Sequence, residues 1–123
     1  MQILSSILVL LVALEHVYIL ALEMFLWMQP RTMKTFGVTP EHAAIMKTMA
    51  ANQGLYNGFL AAGLGYSLLA SNPEVAFTLK IFFLLCVIVA GIYGGVTVKP
   101  RIAIVQAVPA AIALVVALLA GRI

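Results

Sequence analysis

Four apolar stretches, at about residues 3–28, 43–70, 76–98 and 102–121, occupy most of a 123-residue chain. Each is long enough for a helix to cross a hydrocarbon layer roughly 30 Å thick. Hydrophobic residues make up 64% of the sequence and charged residues 9%, a balance outside the range of soluble globular domains. The pattern predicts an all-α fold, an integral membrane four-helix bundle forming a single transmembrane domain over residues 1–123. Nothing is left over for a soluble domain, so any chemistry belongs within the bilayer or at its surfaces.

The first stretch differs from a secretory signal. It lacks a basic leading segment, runs too long, and carries Glu15, His16 and Glu23 where a signal core is apolar. It reads as a retained helix. The net charge of +3 is scattered over the connections, which fits membrane topology and excludes a nucleic-acid footprint. Cys86, the single cysteine, lies in the apolar run FFLLCVIVAG and reads as an inert core residue.

Two helix starts are written out in the sequence. In GVTPEH, Thr39 is placed to cap, Pro40 suits the first helical position, and Glu41 meets the positive end of the helix dipole; Asn72, Pro73 and Glu74 repeat the device in ASNPEV. Pro100 in VKPR separates the third and fourth helices, and Pro109 predicts a kink or a freed carbonyl within the fourth. Arg31, Lys34, Lys47, Lys99 and Arg101 flank the first and third connections, against Lys80 and Arg122 toward the other side, so the positive-inside rule puts both termini outside. The longest connection, MQPRTMKTFGVTPEH, reads as a basic cytoplasmic loop or one lying along the headgroups.

Glu15 and His16 fall near the middle of the first helix, with Glu23 about 11 Å further along. His16 and Glu23 lie within about 20° of each other in azimuth, and Glu15 about 80° from Glu23, so all three share one face. A charge at that depth costs about 3 kcal/mol, which drives such groups inward toward partners and makes function their default reading. On the second helix, Asn52, Gln53, Tyr56 and Asn57 cover an arc of about 140°, which reads as hydrogen-bonding glue to the acids of the first helix or as a ligand-contact face, with Gly54, Gly58 and Ala62 as a small-residue row on the opposite side. Gly91 and Gly95 form a second close-packing pair, Tyr93 adds a hydroxyl, and Gln106 is the one amide of the fourth helix. Lys80 reads as a snorkelling anchor or as a partner reaching toward Glu15.

The blocks ALEHVYILALEMFLW, FGVTPE, ANQGLYNGFLAAG, FFLLCVIVAGIYGGVTV and VQAVPA resemble the small bacterial membrane-protein family catalogued as domain of unknown function 1304, over almost the whole chain. The resemblance implies a four-helix, multi-pass protein of the bacterial cytoplasmic (inner) membrane. It supplies no reaction, substrate, cofactor or catalytic residue.

The leading expectation is an intramembrane polar pocket that binds a small amphipathic or lipid-soluble molecule. Glu15, His16 and Glu23 would supply proton transfer, and Asn52, Gln53, Tyr56, Asn57, Tyr93 and Gln106 the ligand contacts. A proton-coupled small-molecule transporter and an accessory or assembly subunit are the alternatives. One intramembrane histidine with carboxylates falls short of a zinc or haem ligand set, so no metal is expected. The lipid bilayer is the expected partner, and the Gly54/Gly58 and Gly91/Gly95 faces are candidates for a homo-oligomer contact.

Overall fold

The computed structural model describes residues 1–121; Arg122, counted above in the charge asymmetry, lies outside the described residues. The elements are α1 (Gln2–Met24), α2 (Pro30–Phe36), α3 (Pro40–Leu69), α4 (Pro73–Thr97) and α5 (Pro100–Ala120), with no strand among the described residues. The protein is therefore all-α. By length and composition three helices can cross a membrane: α1, α4 and α5, of 23, 25 and 21 residues. The sequence reading expected four. At 30 residues α3 is long enough, but Glu41, Lys47, Asn52, Gln53, Asn57 and its glycines keep it out of the strongly apolar class.

The helix starts follow their caps. Thr39 Oγ1 accepts the His42 N–H at 3.2 Å, and Asn72 Oδ1 accepts the Glu74 and Val75 N–H groups at 2.9 and 3.1 Å. Each cap is followed by a proline whose missing N–H costs nothing at the first helical position. Helix α3 thus starts at residue 40 and α4 at residue 73, three residues earlier than the apolar stretches alone suggested.

The fold divides into two compact units, with boundaries inside α1 and α3: one contains Met1–Leu14 and the chain from Leu60 onward, the other Glu15–Phe59. In the first, Val9, Val12, Ala13, Leu64, Leu84, Val87, Ala110, Ala113 and Ala117 form the core. Its close packing rests on small residues. A Cβ on Gly91 would come within 2.7 Å of the Ala107 backbone nitrogen, and one on Gly95 within 2.5 Å of Ala103 Cβ. Residues Ala103–Ala107 of α5 form a π-helical turn that closes with the Val108 N–H bonding to Ala103 O. Pro109 has no N–H to offer, and the wider turn just before it is how α5 accommodates the break that the sequence predicted as a kink. The Gly91/Gly95 face is thus occupied within the chain.

In the second unit the first connection is mostly helix. Pro30 opens α2, and Gly37, at φ 69°, closes it with Val38 N–H bonding back to Met33 O at 3.0 Å, the glycine-terminated helix end that other residues adopt only under strain. Arg31, Lys34 and Thr35 point outward. Met33, Phe36 and Val38 pack instead against a core of Trp27, Ala43 and Ala50. The Trp27 indole N–H donates to Ala43 O at 2.9 Å, and its ring lies 5.2 Å from that of Phe36. The expected loop is therefore a short amphipathic helix, locked from below by a tryptophan.

Candidate functional site

Five of the buried positions on α1 recur at helical spacing, Ser5, Val9, Val12, His16 and, seven further on, Glu23, with Ala13 and Leu22 buried beside them. This spacing is the seam that a helix presents to a packed neighbour. On α3 the matching positions within the second unit are Ala43, Ala50 and Gly54. Gly54 lets the helices meet: a Cβ there would stand 2.7 Å from Met24 Cγ, 3.0 Å from Glu23 Cβ and 3.3 Å from Leu20 O. Gly58 similarly faces Leu20 Cδ1.

This close approach seats Glu23, which is 3% exposed. Asn57 Nδ2 donates to its Oε1 at 2.7 Å, and Gln53 Nε2 donates to its Oε2 at 3.2 Å. The Asn57 amide is itself aimed, since it also donates to Gln53 O at 3.2 Å, one turn back on its own helix. Both carboxylate oxygens therefore have donors from two successive turns of α3, the shorter bond falling in the range of charge-assisted contacts.

The polar arc and the glycine row were expected on opposite sides of this helix. They face the same neighbour. At 100° per residue Asn57 lies only about 60° from Gly54, and an amide side chain spans that offset. Asn52 and Tyr56, at the far edge of the arc, are exposed. Gly54 and Gly58 meet α1 residues of the same chain.

Glu15 is one position off the seam, and its surroundings differ accordingly. Its side chain is 25% exposed, while His16 beside it is fully buried, with Nδ1 3.9 Å from Glu15 Oε1. That oxygen is closed off from the surface and accepts no hydrogen bond among the described residues. The shared azimuth of His16 and Glu23 does not bring them together: the acid at the His16 ring is its neighbour Glu15, and Glu23 is held by the two amides. The pair can hold and pass a proton. A ligand hydroxyl or amine would reach Glu15 through the exposed quarter of its side chain and not through the enclosed Oε1.

Tyr93 and Gln106 belong to the other unit, Tyr93 exposed and Gln106 partly buried in the π-helical turn. In that unit Lys80 neither snorkels outward nor lies open: it is 8% exposed, with Nζ donating to the fully buried Ser5 Oγ at 3.4 Å. Among the described residues no three His, Cys, Asp or Glu side chains gather as a metal-holding group. Sequence reasoning missed Trp27 and the cavity beside Lys80. The tryptophan, placed at the end of α1 before a proline-opened helix, was a usable signal; the cavity had none.

The family described as Protein of unknown function (DUF1304) matches residues 10–118. An uncharacterised protein named YpaA, from Lactococcus lactis subsp. lactis (strain IL1403), is 34% identical over 117 residues, covering 94% of this chain and 97% of its own length. No solved structure matches.

Proposed function

This chain belongs to the family described as Protein of unknown function (DUF1304), and from that starting point we propose that it is an integral membrane protein with a small-molecule site at Glu15. On this reading α3 crosses the bacterial cytoplasmic membrane beside the three apolar helices, completing a four-helix bundle. Both termini face outward, because Arg31, Lys34, Lys47, Lys99 and Arg101 gather at the first and third connections. The ligand is small and amphipathic or lipid-soluble, reaching Glu15 at the edge of the helix seam. Glu15 gives it a proton or takes one, and His16 beside it can hold that proton in turn.

The observation that carries this reading is the partly exposed Glu15 side chain, which accepts no hydrogen bond among the described residues, against a buried Glu23 whose two oxygens each have a donor. An intramembrane carboxylate without donors is costly, and such a group is retained where it acts. The test is thermal unfolding in neutral detergent against a panel of lipid-soluble quinones, long-chain amines and fatty acids. A stabilising compound whose effect disappears in Glu15→Gln and persists in Glu23→Gln supports the site. A panel with no stabilising member contradicts it.

A second reading draws on the closed seat of Glu23: an accessory or assembly subunit whose polar groups serve only its own packing. It predicts no ligand response. If the Glu15 proton drives transport, flux of the identified ligand into vesicles follows the proton gradient and is lost in Glu15→Gln.

A further inference from the structure

We infer that the first unit carries an anion site, a cavity in which the Lys80 ammonium takes the carboxylate or phosphate group of a small anion or an anionic amphiphile. The cavity measures about 230 Å³, lined by Gln2, Ser6, Ser67, Ala76, Phe77 and Lys80 among others. It reaches the exposed residues Ser71 and Pro73, so it opens to the surface. Its volume is below that of pockets for drug-sized ligands and suits a head group or a small anion.

The electrostatics point to negative charge. Lys80 is nearly buried, yet its polar contact among the described residues is a neutral hydroxyl, Ser5 Oγ at 3.4 Å, and no described carboxylate lies within 4 Å of it. Two of its three N–H groups remain for a ligand. The acid nearest along α4, Glu74, lies six residues back and about 120° round the helix. Pro73 and Ala76, in the first turn of α4, form part of the wall, which brings the positive end of that helix to the same space.

Two of the other polar side chains, Gln2 and Ser67, are already engaged. Gln2 Nε2 donates to Ala120 O and Gly121 O at 3.0 and 3.2 Å, and Ser67 Oγ donates to Leu64 O at 2.6 Å. Ser6 and Ser71 also line the cavity. This site shares no residue with Glu15, so it stands or falls separately from the function proposed above.

The test uses the full chain in neutral detergent. Inorganic phosphate is titrated with ionic strength held constant by potassium chloride, and dihexanoyl phosphatidylglycerol is compared with the matching phosphatidylcholine. Saturating phosphate or phosphatidylglycerol raises the Tm by about 4 °C or more, and phosphatidylcholine leaves it unchanged. A response to phosphate alone identifies a free-anion site; one confined to phosphatidylglycerol identifies a lipid head group. Lys80→Arg keeps the response and Lys80→Gln loses it. Ala76→Leu, which crowds the cavity with Lys80 in place, loses it as well and carries the test if Lys80→Gln does not fold. A response to phosphatidylcholine that matches the one to phosphatidylglycerol, no response to either anion, or a response that survives Ala76→Leu overturns the site.

Discussion

Glu15 and Glu23 stand eight residues apart on one helix, and their surroundings treat them oppositely. Glu23 sits on the buried seam of α1, where Gly54 brings α3 close enough for Asn57 and Gln53 to fill both its oxygens. Glu15 is displaced from that seam by one residue, or about 100°, and keeps an enclosed oxygen with no hydrogen bond among the described residues. The carboxylates are chemically the same; helix phase separates them. An acid whose acceptors are filled holds two helices together, whereas one with acceptors to spare still has free energy to gain from a ligand.

The comparison breaks hardest at Gly54. Gly54→Val puts two methyls where a single Cβ already meets Met24, Glu23 and the Leu20 carbonyl, so the α1–α3 contact must open. The expected loss is about 3 kcal/mol, measured by denaturant unfolding in detergent. Asn57→Leu comes next. It leaves the buried Glu23 carboxylate with Gln53 as its donor and should cost about 2 kcal/mol, more than the roughly 0.6 kcal/mol typical of interhelical hydrogen bonds in membranes. A double-mutant cycle of Glu23→Gln with Asn57→Ala isolates the coupling; a value near the membrane average would reduce the seat to ordinary packing.

Trp27→Phe sharpens the picture at the near end of the same unit. It keeps the ring against Phe36 and removes the N–H that reaches Ala43 O, an expected cost of about 1 kcal/mol. Indole fluorescence is lost with it, so unfolding is followed by circular dichroism. A larger loss would make the α2 junction, and not the Glu23 seat, the main fastening of the unit.

Much of this fold was legible where a local signal had a single structural meaning. Thr39–Pro40 and Asn72–Pro73 marked helix starts because their side chains or missing N–H groups fit only that position. Pro109 announced irregularity in α5, although not that the relief would be a π-helical turn. Azimuth set Asn57 and Gln53 toward the acids of α1, as the Glu23 bonds show, but put Gly54 on the opposite side, since a helical wheel records where a side chain leaves the backbone and not how far it reaches. Apolar length gave α3 the same rank as α1, while its amides and charges distinguish it. The short helix α2 was hidden because its apolar side, Met33 and Phe36, makes sense only with Trp27 beneath it. The buried positions Ser5, Val9, Val12, His16 and Glu23 share one phase in the residue spacing, and Glu23 differs from Glu15 in phase and in the two amides that reach it.

The two acids are compared most directly by unfolding Glu15→Gln and Glu23→Gln beside the unaltered chain in one detergent. In Glu23→Gln the new amide oxygen still accepts from one of Gln53 and Asn57 while its N–H₂ opposes the donor of the other, and stability falls by about 1–2 kcal/mol. Glu15→Gln removes a charge that lacks donors, so stability stays within about 0.5 kcal/mol of the starting value or rises. A Glu15→Gln protein that unfolds earlier than Glu23→Gln would contradict this assignment and make Glu15 the fastener.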